Sequence, residues 1–406
     1  MKKMKMLLIA ISVIVATGCK KKGCTDPTAI NFNIEAEKDD NSCKYNTDET
    51  SVIVSNNITT NTAWTADKVY VLASRVTVEA GVELTIEAGT IIKGQAGSGP
   101  NATALLIARG GKLFANGTAD APIIFTSVAD EIMPGQKVSP NLDPNLDGLW
   151  GGLIILGNAP ISAASDVVQI EGIPPSDANG LYGGSDATDN SGSITYISIR
   201  HGGANIGEGN EINGLTLGGV GNGTTISNVE VVGNQDDGIE FFGGTVNVSN
   251  ALVWNAGDDA IDTDQGWSGT LDNFIVLNPG DECFELDGPE GSASGTHTIT
   301  NGTTYAGRAQ GLVDLDDNSS LVFKNQYFFG LADGQDFDQV PTADGFLNAS
   351  DFQVTLPQGG VLTDFFKDGT DTFTSEVAEG VNTVGADASV LVGWTWAGLS
   401  GNLSGL

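Results

Sequence analysis

The hydrophobic residues of this chain fall in short runs that alternate with polar positions and end at glycine-containing turns. In Val76–Gly94, for example, apolar and polar residues alternate, and Glu-Ala-Gly occurs at 79–81 and again at 87–89. A period of two is typical of β-strands, and the glycines mark the turns between them. Helical periodicity is almost absent, so the pattern predicts an all-β protein built of short strands.

A repeat with a near-constant period occupies the middle of the chain. Five β-rich segments align at spacings of 22, 23, 28 and 24 residues. Each carries an asparagine near its start: Asn228, Asn250, Asn273, Asn301 and Asn325. An earlier segment fits the same pattern with Tyr196 in the place of the asparagine. Short strands at this period predict a parallel β-solenoid with an asparagine ladder at one corner. A β-sandwich with coincidental similarity between its strands is the alternative.

One turn of this repeat is strongly acidic in three successive copies. The copies read NQDDGIEFF from residue 234, NAGDDAIDTD from 255 and NPGDECFELDG from 278. Superposition stacks one apolar residue from each copy in an inward column: Ile239, Ile261 and Phe284. Strand alternation then points the acidic residue after each of them outward, and further acidic residues lie in the turn just before and at the end of the strand. We call these acidic residues the acidic ladder, and its candidate metal ligands are Asp236, Asp237, Glu240, Asp258, Asp259, Asp262, Asp264, Asp281, Glu282, Glu285 and Asp287.

The charge balance suggests a cation as a partner of the acidic ladder. The formal net charge is −33 over 406 residues, and no Lys or Arg lies between Arg200 and Arg308. Stacked carboxylates repel unless a cation, raised pKa values or solvent relieves them. Oxygen-only ligands favour Ca²⁺ over zinc. Three hypotheses stay open: a solvated acidic edge, calcium held between repeats, or catalytic carboxylates. The same charge excludes nucleic acid as a partner.

Few residues are suited to catalysis. A calcium-dependent polyuronate lyase needs a base to remove a proton and a cation to stabilise the resulting anion. Arg200 and His201 end the strand before the acidic ladder, so they are candidates together with Asp236 and Asp237. A structural role for the Arg-His pair is the alternative.

Aromatic residues provide a hint of ligand binding. Trp254 and Trp267 fall on or near successive repeats. Aromatic faces stack on sugar rings, so both are candidates for ligand stacking. At this spacing aromatic residues also serve as core or cap residues, and that alternative stays open.

The N-terminus has the features of an export signal. Early lysines precede the apolar run Met6–Ala16, which is short for a membrane span. The segment Ala16-Thr17-Gly18-Cys19 resembles a bacterial lipobox. This resemblance implies cleavage after residue 18, lipidation of Cys19 and attachment to a membrane. A plain secretory signal is the alternative, and both imply export.

Residues 76–94, 105–127 and 148–162 resemble exported right-handed parallel β-helix lipoproteins of Bacteroidota. The resemblance covers about residues 65–330 and rests on the strings Thr-Ile-Glu-Ala-Gly-Thr and Trp-Gly-Gly-Leu-Ile-Ile-Leu-Gly-Asn-Ala-Pro. It implies a right-handed parallel β-helix. It implies little about activity, because β-helices include enzymes, adhesins and inert stalks.

The stretch 23–45 resembles a short module of exported proteins from the same bacteria, which implies a disulfide between Cys24 and Cys43. The expected organisation is a signal peptide (1–18), a linker with this module (19–50), a parallel β-helix (51–334) and a C-terminal cap region (335–406).

Together these features predict an outer-membrane lipoprotein that faces the cell surface or the periplasm and is anchored through Cys19. The leading hypothesis is a non-catalytic surface binding or adhesion protein for glycan or cell-envelope material, stabilised by calcium. The alternative is a calcium-dependent polysaccharide lyase or glycoside hydrolase of the β-helix type.

Overall fold

A computed structural model of the protein describes residues 21–26, 29, 33–43, 51–206, 212–342 and 345–406. The predicted signal peptide (1–18) and lipidation site (Cys19) lie outside these residues. None of the described helices is long and apolar enough to span a membrane. The chain divides into two compact units, Met1–Tyr45 and Asn46–Leu406.

A disulfide cross-links the first unit. Cys24 and Cys43 are bonded, with Cα atoms 4.8 Å apart, which confirms the predicted pairing. Strands β1 (Lys22–Gly23) and β2 (Lys38–Asp39) pair in parallel. A unit this small buries little apolar surface, so a cross-link that restricts its unfolded chain supplies stability that its core cannot.

The second unit is a parallel β-helix made of two hydrogen-bonded sheets, as predicted. The smaller sheet has eight strands: β6 (Arg75–Val78), β9 (Ala104–Ile107), β12 (Leu153–Leu156), β16 (Leu215–Gly218), β18 (Ile239–Phe242), β20 (Ile261–Asp264), β22 (Phe284–Leu286) and β24 (Asp314–Leu315). The larger sheet has fifteen strands: β3 (Ser51–Val54), β4 (Thr62–Trp64), β5 (Val69–Leu72), β7 (Glu83–Ile86), β8 (Ile91–Gly94), β10 (Lys112–Asn116), β11 (Ile123–Ser127), β15 (Gly192–Arg200), β17 (Thr225–Val232), β19 (Asn247–Trp254), β21 (Thr270–Leu277), β23 (His297–Tyr305), β25 (Ser320–Phe329), β26 (Phe346–Val354) and β27 (Thr374–Glu376).

Each turn of the coil, called a rung below, has three sides because the long strands of the larger sheet bend in the middle. In β15, Ile194 pairs with Ala115 of β10 before the bend, and Ile197 pairs with Ile123 of β11 after it. The two arms of a long strand therefore form two sides, and the smaller sheet forms the third. Neighbouring rungs lie about 4.8 Å apart.

The bends use left-handed backbone conformations. The bend residues have φ between 50° and 58°: Tyr196, Asn228, Asn250, Asn273, Asn301 and Asn325. Asparagine tolerates this conformation better than most residues. Asn250 Nδ2 donates to Asn228 Oδ1 at 3.3 Å, and Asn273 Nδ2 donates to Asn250 Oδ1 at 2.7 Å. The predicted asparagine ladder is confirmed here, although Asn301 donates instead to Asp272 at 2.7 Å.

Irregular insertions cover the outside of the coil. Residues 157–191 contain the antiparallel hairpin β13 (Val168–Gln169) and β14 (Leu181–Tyr182), and a 3-10 turn at Ala178–Gly180. Their apolar side chains pack on the outer face of the smaller sheet. The two sets in contact are Ile161, Ile170, Ile173 and Tyr182 from the insertion, and Leu106, Ile154, Leu156 and Phe242 from the sheet. A further 3-10 turn spans Gly99–Asn101.

The coil continues beyond the boundary expected at residue 334. Strands β26 and β27 extend the larger sheet to Glu376. Between these two strands, helix α1 (Leu362–Phe365) and a 3-10 turn (Thr370–Phe373) supply aromatic residues that cover the last rungs. Phe373, for example, packs against Phe352 of β26 with ring centroids 5.1 Å apart.

The final segment, residues 386–406, folds back onto the middle of the coil and is called the tail below. It contains α2 (Ser389–Val392) and α3 (Trp396–Leu399). Its apolar residues pack on the outer face of β17, β19 and β21: Leu391, Trp394, Trp396 and Leu403. The predicted cap region therefore consists of two parts, of which only the first covers the end of the coil.

Candidate functional site

The acidic ladder aligns in the register that the repeat predicts. Glu240 of β18 pairs with Asp262 of β20, and Asp262 pairs with Glu285 of β22. Because strand residues alternate, these side chains point away from the apolar interior. The inward column is also as predicted, with its three members completely buried: Ile239, Ile261 and Phe284.

Part of the acidic ladder is nevertheless buried, which corrects the hypothesis of a solvated edge at these positions. The exposed fractions are 7% for Asp237, 5% for Glu240, 5% for Asp259 and 8% for Asp262. The insertion 157–191 forms a second layer over this sheet, where Tyr182 Oη donates to Gln265 at 2.8 Å. Side chains that point outward from the coil are therefore still shielded from solvent.

Three buried carboxylates converge on one point. Asp237, Glu240 and Asp262 each offer an oxygen, and these oxygens all lie within 4.8 Å of one another. We call this group the carboxylate cluster. Asp236, Asp237 and Asp258 form a second group of the same size that is less buried. Among the described residues, the other six candidate ligands do not join such a group: Asp259, Asp264, Asp281, Glu282, Glu285 and Asp287.

Burial and crowding raise the pKa of each carboxyl in the cluster. Burial is the larger cause, because the charged form loses solvation. Repulsion from neighbouring carboxylates adds to it and places the pKa of all three groups well above the usual range. The cluster therefore holds full negative charge at neutral pH only if a cation compensates it.

The pKa values of buried Asp259 and of three partly buried acids shift in the same direction. Burial raises the pKa of Asp264 and Asp287 to about 7, that of Glu282 to about 8 and that of Asp259 to about 10, with nearby carboxylates adding to each shift. Hydrogen bonds between rungs partly offset the repulsion. The amide of Asp259 donates to Asp237 Oδ1 at 3.0 Å, and the amide of Glu282 donates to Asp259 Oδ1 at 2.6 Å.

Asn213 is a member of this site that the sequence analysis did not identify. It precedes Leu215 by two residues, as Asp237 precedes Ile239 in the next rung, so the two side chains share a column. Asn213 Nδ2 donates to Glu240 Oε2. The residue is 1% exposed, and its Oδ1 accepts no hydrogen bond from the described part of the chain. The signal was its place in the repeat, which a search for acidic residues overlooks.

The catalytic candidates Arg200 and His201 are sealed beneath the tail. Both are 0% exposed. Arg200 Nε donates to Ser198 Oγ at 2.8 Å, and its Nη2 lies 3.8 Å from Glu230 Oε2. His201 Nδ1 lies 2.6 Å from the carbonyl oxygen of Leu146, and burial lowers the pKa of the imidazole. This placement corrects the prediction that the pair could act on a substrate beside Asp236 and Asp237.

The two tryptophans chosen for ligand stacking differ in environment. Trp267 is 1% exposed and lies inside the coil, stacked on Phe241 with ring centroids 4.0 Å apart. Its Nε1 donates to the carbonyl oxygen of Val246 at 3.1 Å. Trp267 is therefore a core residue, which corrects the prediction that it contacts a ligand.

Trp254 instead lines a surface groove, called the aromatic groove below. The groove has a volume of about 480 Å³ and is lined by Asn145, Trp254, Asn255, Leu277, Asn278, Tyr305, Phe329 and Asn402. Trp254, Leu277, Tyr305 and Phe329 are register partners on four successive rungs. Three rung spacings make this apolar column about 14 Å long. Tyr305 is 38% exposed and forms the most accessible ring of the column.

Comparison with known proteins agrees with this architecture. The profile of a family described as "Pectate-lyase like beta helix domain" matches residues 56–395. No curated protein and no solved structure matches the chain significantly. The matched region covers the coil from just after β3 to its end and the first part of the tail, which is far more than half of the chain. The chain therefore belongs to the family of pectate-lyase-like β-helix domains.

Proposed function

We propose that this chain is a non-catalytic, exported binding protein whose aromatic groove binds an uncharged glycan of the cell envelope or its surroundings. The observation that carries the proposal is the column of Trp254, Leu277, Tyr305 and Phe329, which runs along the coil axis beside a row of asparagines. Lipidation at Cys19 and anchoring in the outer membrane belong to the same proposal.

The groove has the two chemical features that sugar recognition requires. The aromatic faces of Tyr305 and Phe329, 5.2 Å apart between centroids, match the apolar C–H faces of sugar rings. The amides of Asn145 and Asn402 at the edge of the groove supply donors and acceptors for hydroxyl groups. The rungs repeat about every 4.8 Å, so Tyr305 and Phe329 can contact neighbouring sugars, whereas Trp254 and Leu277, at 9% and 5% exposed, form the floor of the groove.

Charge selects the class of glycan. The chain carries a formal net charge of −33, and a surface of this sign repels polyanions. An uncharged polysaccharide avoids this repulsion, whereas a polyuronate requires a bridging cation. An uncharged ligand is therefore the better match to the groove.

The alternative is a calcium-dependent polysaccharide lyase or glycoside hydrolase. The family match and the carboxylate cluster support it. The burial of Arg200 and His201 weighs against it, because a catalytic group must reach the atoms that react. Incubation with polyuronates and calcium tests the lyase directly. Absorbance from an unsaturated product would favour the enzyme, and its absence across a broad panel would favour binding alone.

A glycan array tests the binding proposal. The exported chain would carry Cys19→Ser to prevent lipidation and would otherwise be complete. Uncharged glycans should bind, and Tyr305→Ala should weaken that binding about tenfold because one stacking ring is lost. Phe346→Ala is the matched control, since Phe346 is 53% exposed on β26 and does not line the groove. Equal loss in both variants, or binding restricted to polyanions, would contradict the proposal.

A further inference from the structure

We propose that Asp237, Glu240, Asp262 and Asn213 form a buried site for one divalent cation, best suited to calcium, that links successive rungs of the coil. The site is separate from the aromatic groove and holds whether or not the groove binds a glycan. Its role is structural: the cation compensates carboxylates that the fold brings together.

The spacing of the ligand atoms suits calcium. One oxygen from each of Asp237, Glu240 and Asp262 lies within 4.8 Å of the other two. Calcium–oxygen distances of 2.3–2.6 Å place two ligands on opposite sides of the ion about 4.6 to 5.2 Å apart, and adjacent ligands closer. The three oxygens therefore fit around one calcium ion without a change in the backbone.

Among the residues that the structure describes, no cationic side chain forms an ion pair with these three carboxylates. The groups that act most strongly on the three carboxyls are other carboxylates, including Asp258 and Asp264. No Lys or Arg lies between Arg200 and Arg308 in the sequence. All three carboxylates are more than nine-tenths buried, and buried charges must be paired, bound to a metal or neutralised by protons.

Unpartnered oxygen atoms give a second, independent indication of a ligand. Asp262 Oδ1 accepts no hydrogen bond from any described residue, and the same holds for Asn213 Oδ1. Both residues are more than nine-tenths buried, and Asn213 is aimed at the cluster through its bond to Glu240. Leaving a buried acceptor unsatisfied is costly. A cation among these oxygens would satisfy both atoms at once.

The ligand chemistry selects among the ions. Every candidate ligand is a carboxylate or amide oxygen, and zinc instead prefers nitrogen and sulfur ligands. Magnesium requires a near-ideal octahedron at shorter distances and retains several waters. A buried group of carboxylate and amide oxygens spaced for the longer metal–oxygen distances of calcium therefore favours that ion over magnesium. Asp237 also belongs to the outer group with Asp236 and Asp258, which connects the buried site to carboxylates nearer the surface.

Calorimetry and thermal melting test the site with the complete exported chain carrying Cys19→Ser. After treatment with chelator, calcium should bind with a measurable heat and raise Tm by about 3 to 4 °C at a hundredfold excess over Kd. Magnesium should produce a smaller shift. No heat and no Tm shift at millimolar calcium would overturn the proposal.

Substitutions locate the ion. Asp262→Asn and Glu240→Gln should each remove most of the calcium-induced Tm shift. Glu376→Gln removes the same charge from an exposed position at the end of the coil and should leave the shift unchanged. A full shift in both cluster variants would place calcium elsewhere and overturn the site.

Two further measurements keep the test decisive. If the cluster variants fail to fold, terbium luminescence of the unsubstituted chain, displaced by calcium with a stoichiometry of one, would support a single site. If Glu240→Gln instead raises Tm at pH 8 while calcium has no effect on the unsubstituted chain, protons neutralise the cluster and the proposal fails.

Discussion

The guanidinium carbon of Arg200 lies 5.0 Å from the centroid of the Trp396 ring, although the two residues are far apart in the sequence. The same ring packs edge-on against His201, with centroids 5.6 Å apart, and against Trp254 at 6.0 Å. Trp396 therefore attaches the tail to the middle of the coil and seals a buried basic pair. Trp396, together with Lys137 and Leu146, whose carbonyl oxygens contact Arg200 and His201, separates this basic pair from solvent.

Trp396→Ala should destabilise the coil by about 3–5 kcal/mol, because a large buried ring is lost from the interface between tail and coil. Urea unfolding followed by tryptophan fluorescence and circular dichroism measures the change. Leu399→Ala is the control, since Leu399 lies on the same helix but is 46% exposed. Similar losses in both variants would show that the ring contacts are not the cause.

Glu230→Gln should cost about 3 kcal/mol or more, because it leaves the guanidinium of Arg200 buried without its charge partner. The glutamine can still accept the hydrogen bond that the amide of Ala397 donates to Oε1 at 3.0 Å, so the loss reports the change at Oε2, which faces Arg200 and accepts from Ser198 Oγ at 2.6 Å. Asp336→Asn breaks the partly exposed pair with Lys367 and should cost less than about 1 kcal/mol. Comparable unfolding free energies for the two variants would contradict this prediction.

Asn250→Ala should destabilise the coil by about 2–3 kcal/mol. The substitution removes hydrogen bonds to Asn228 and Asn273 and places alanine at φ 56°. Asn250→Gly relieves the backbone strain but not the lost hydrogen bonds, so it should lie between alanine and the unsubstituted chain. Chemical unfolding at one pH compares all three. A glycine variant as unstable as the alanine variant would assign the whole effect to the ladder.

In chelator, the free energy of unfolding should fall as the pH rises from about 4 to about 8. Asp264 and Asp287 have a pKa of about 7 when folded, above the value of about 3.9 for an unfolded aspartate. The folded state therefore binds more protons in this window, and that stabilisation is lost as the pH passes the folded pKa. Urea unfolding at several pH values measures the slope. Asp264→Asn with Asp287→Asn should reduce it, and a rising stability would contradict the prediction.

The stabilisation that calcium provides should increase with pH over the same series, whereas the stability in chelator decreases. Its ligands must lose their protons to bind it, so calcium-dependent stabilisation should grow between pH 5 and about pH 8. The difference in Tm with and without calcium measures this directly at each pH. A difference that shrinks as the pH rises would contradict binding to titrating carboxylates.

Local repetition explains why much of the molecule could be predicted from the sequence. Each rung repeats the same short strands and the same bend, so the spacing of Asn228, Asn250 and Asn273 in the sequence is enough to predict that they stack. The inward position of Ile261 and the alignment of Glu240 with Asp262 follow from the same register. The disulfide was predictable for a different reason, because it lies in a module that resembles known ones.

The environment of the site was not predictable in this way. The insertion 157–191 packs on the outer face of the sheet that carries Asp262, and the tail covers Arg200 together with Lys137. Neither segment follows the repeat, so their sequences contain no register that indicates where they pack. Trp254 ends strand β19 and Trp267 lies in the turn before β21, and one ring lines a groove whereas the other lies within the coil.

The sequence by itself determined that this protein is a parallel β-helix, where its rungs lie and which acidic residues stack on one another. It could do so because stacking between neighbouring rungs depends on short-range patterns that recur. Only the tertiary structure decided that four of these acids are buried, that Asn213 joins them and that Arg200 and His201 are sealed. Those outcomes arise from contacts between non-repetitive segments and distant rungs, and such contacts depend on packing in three dimensions.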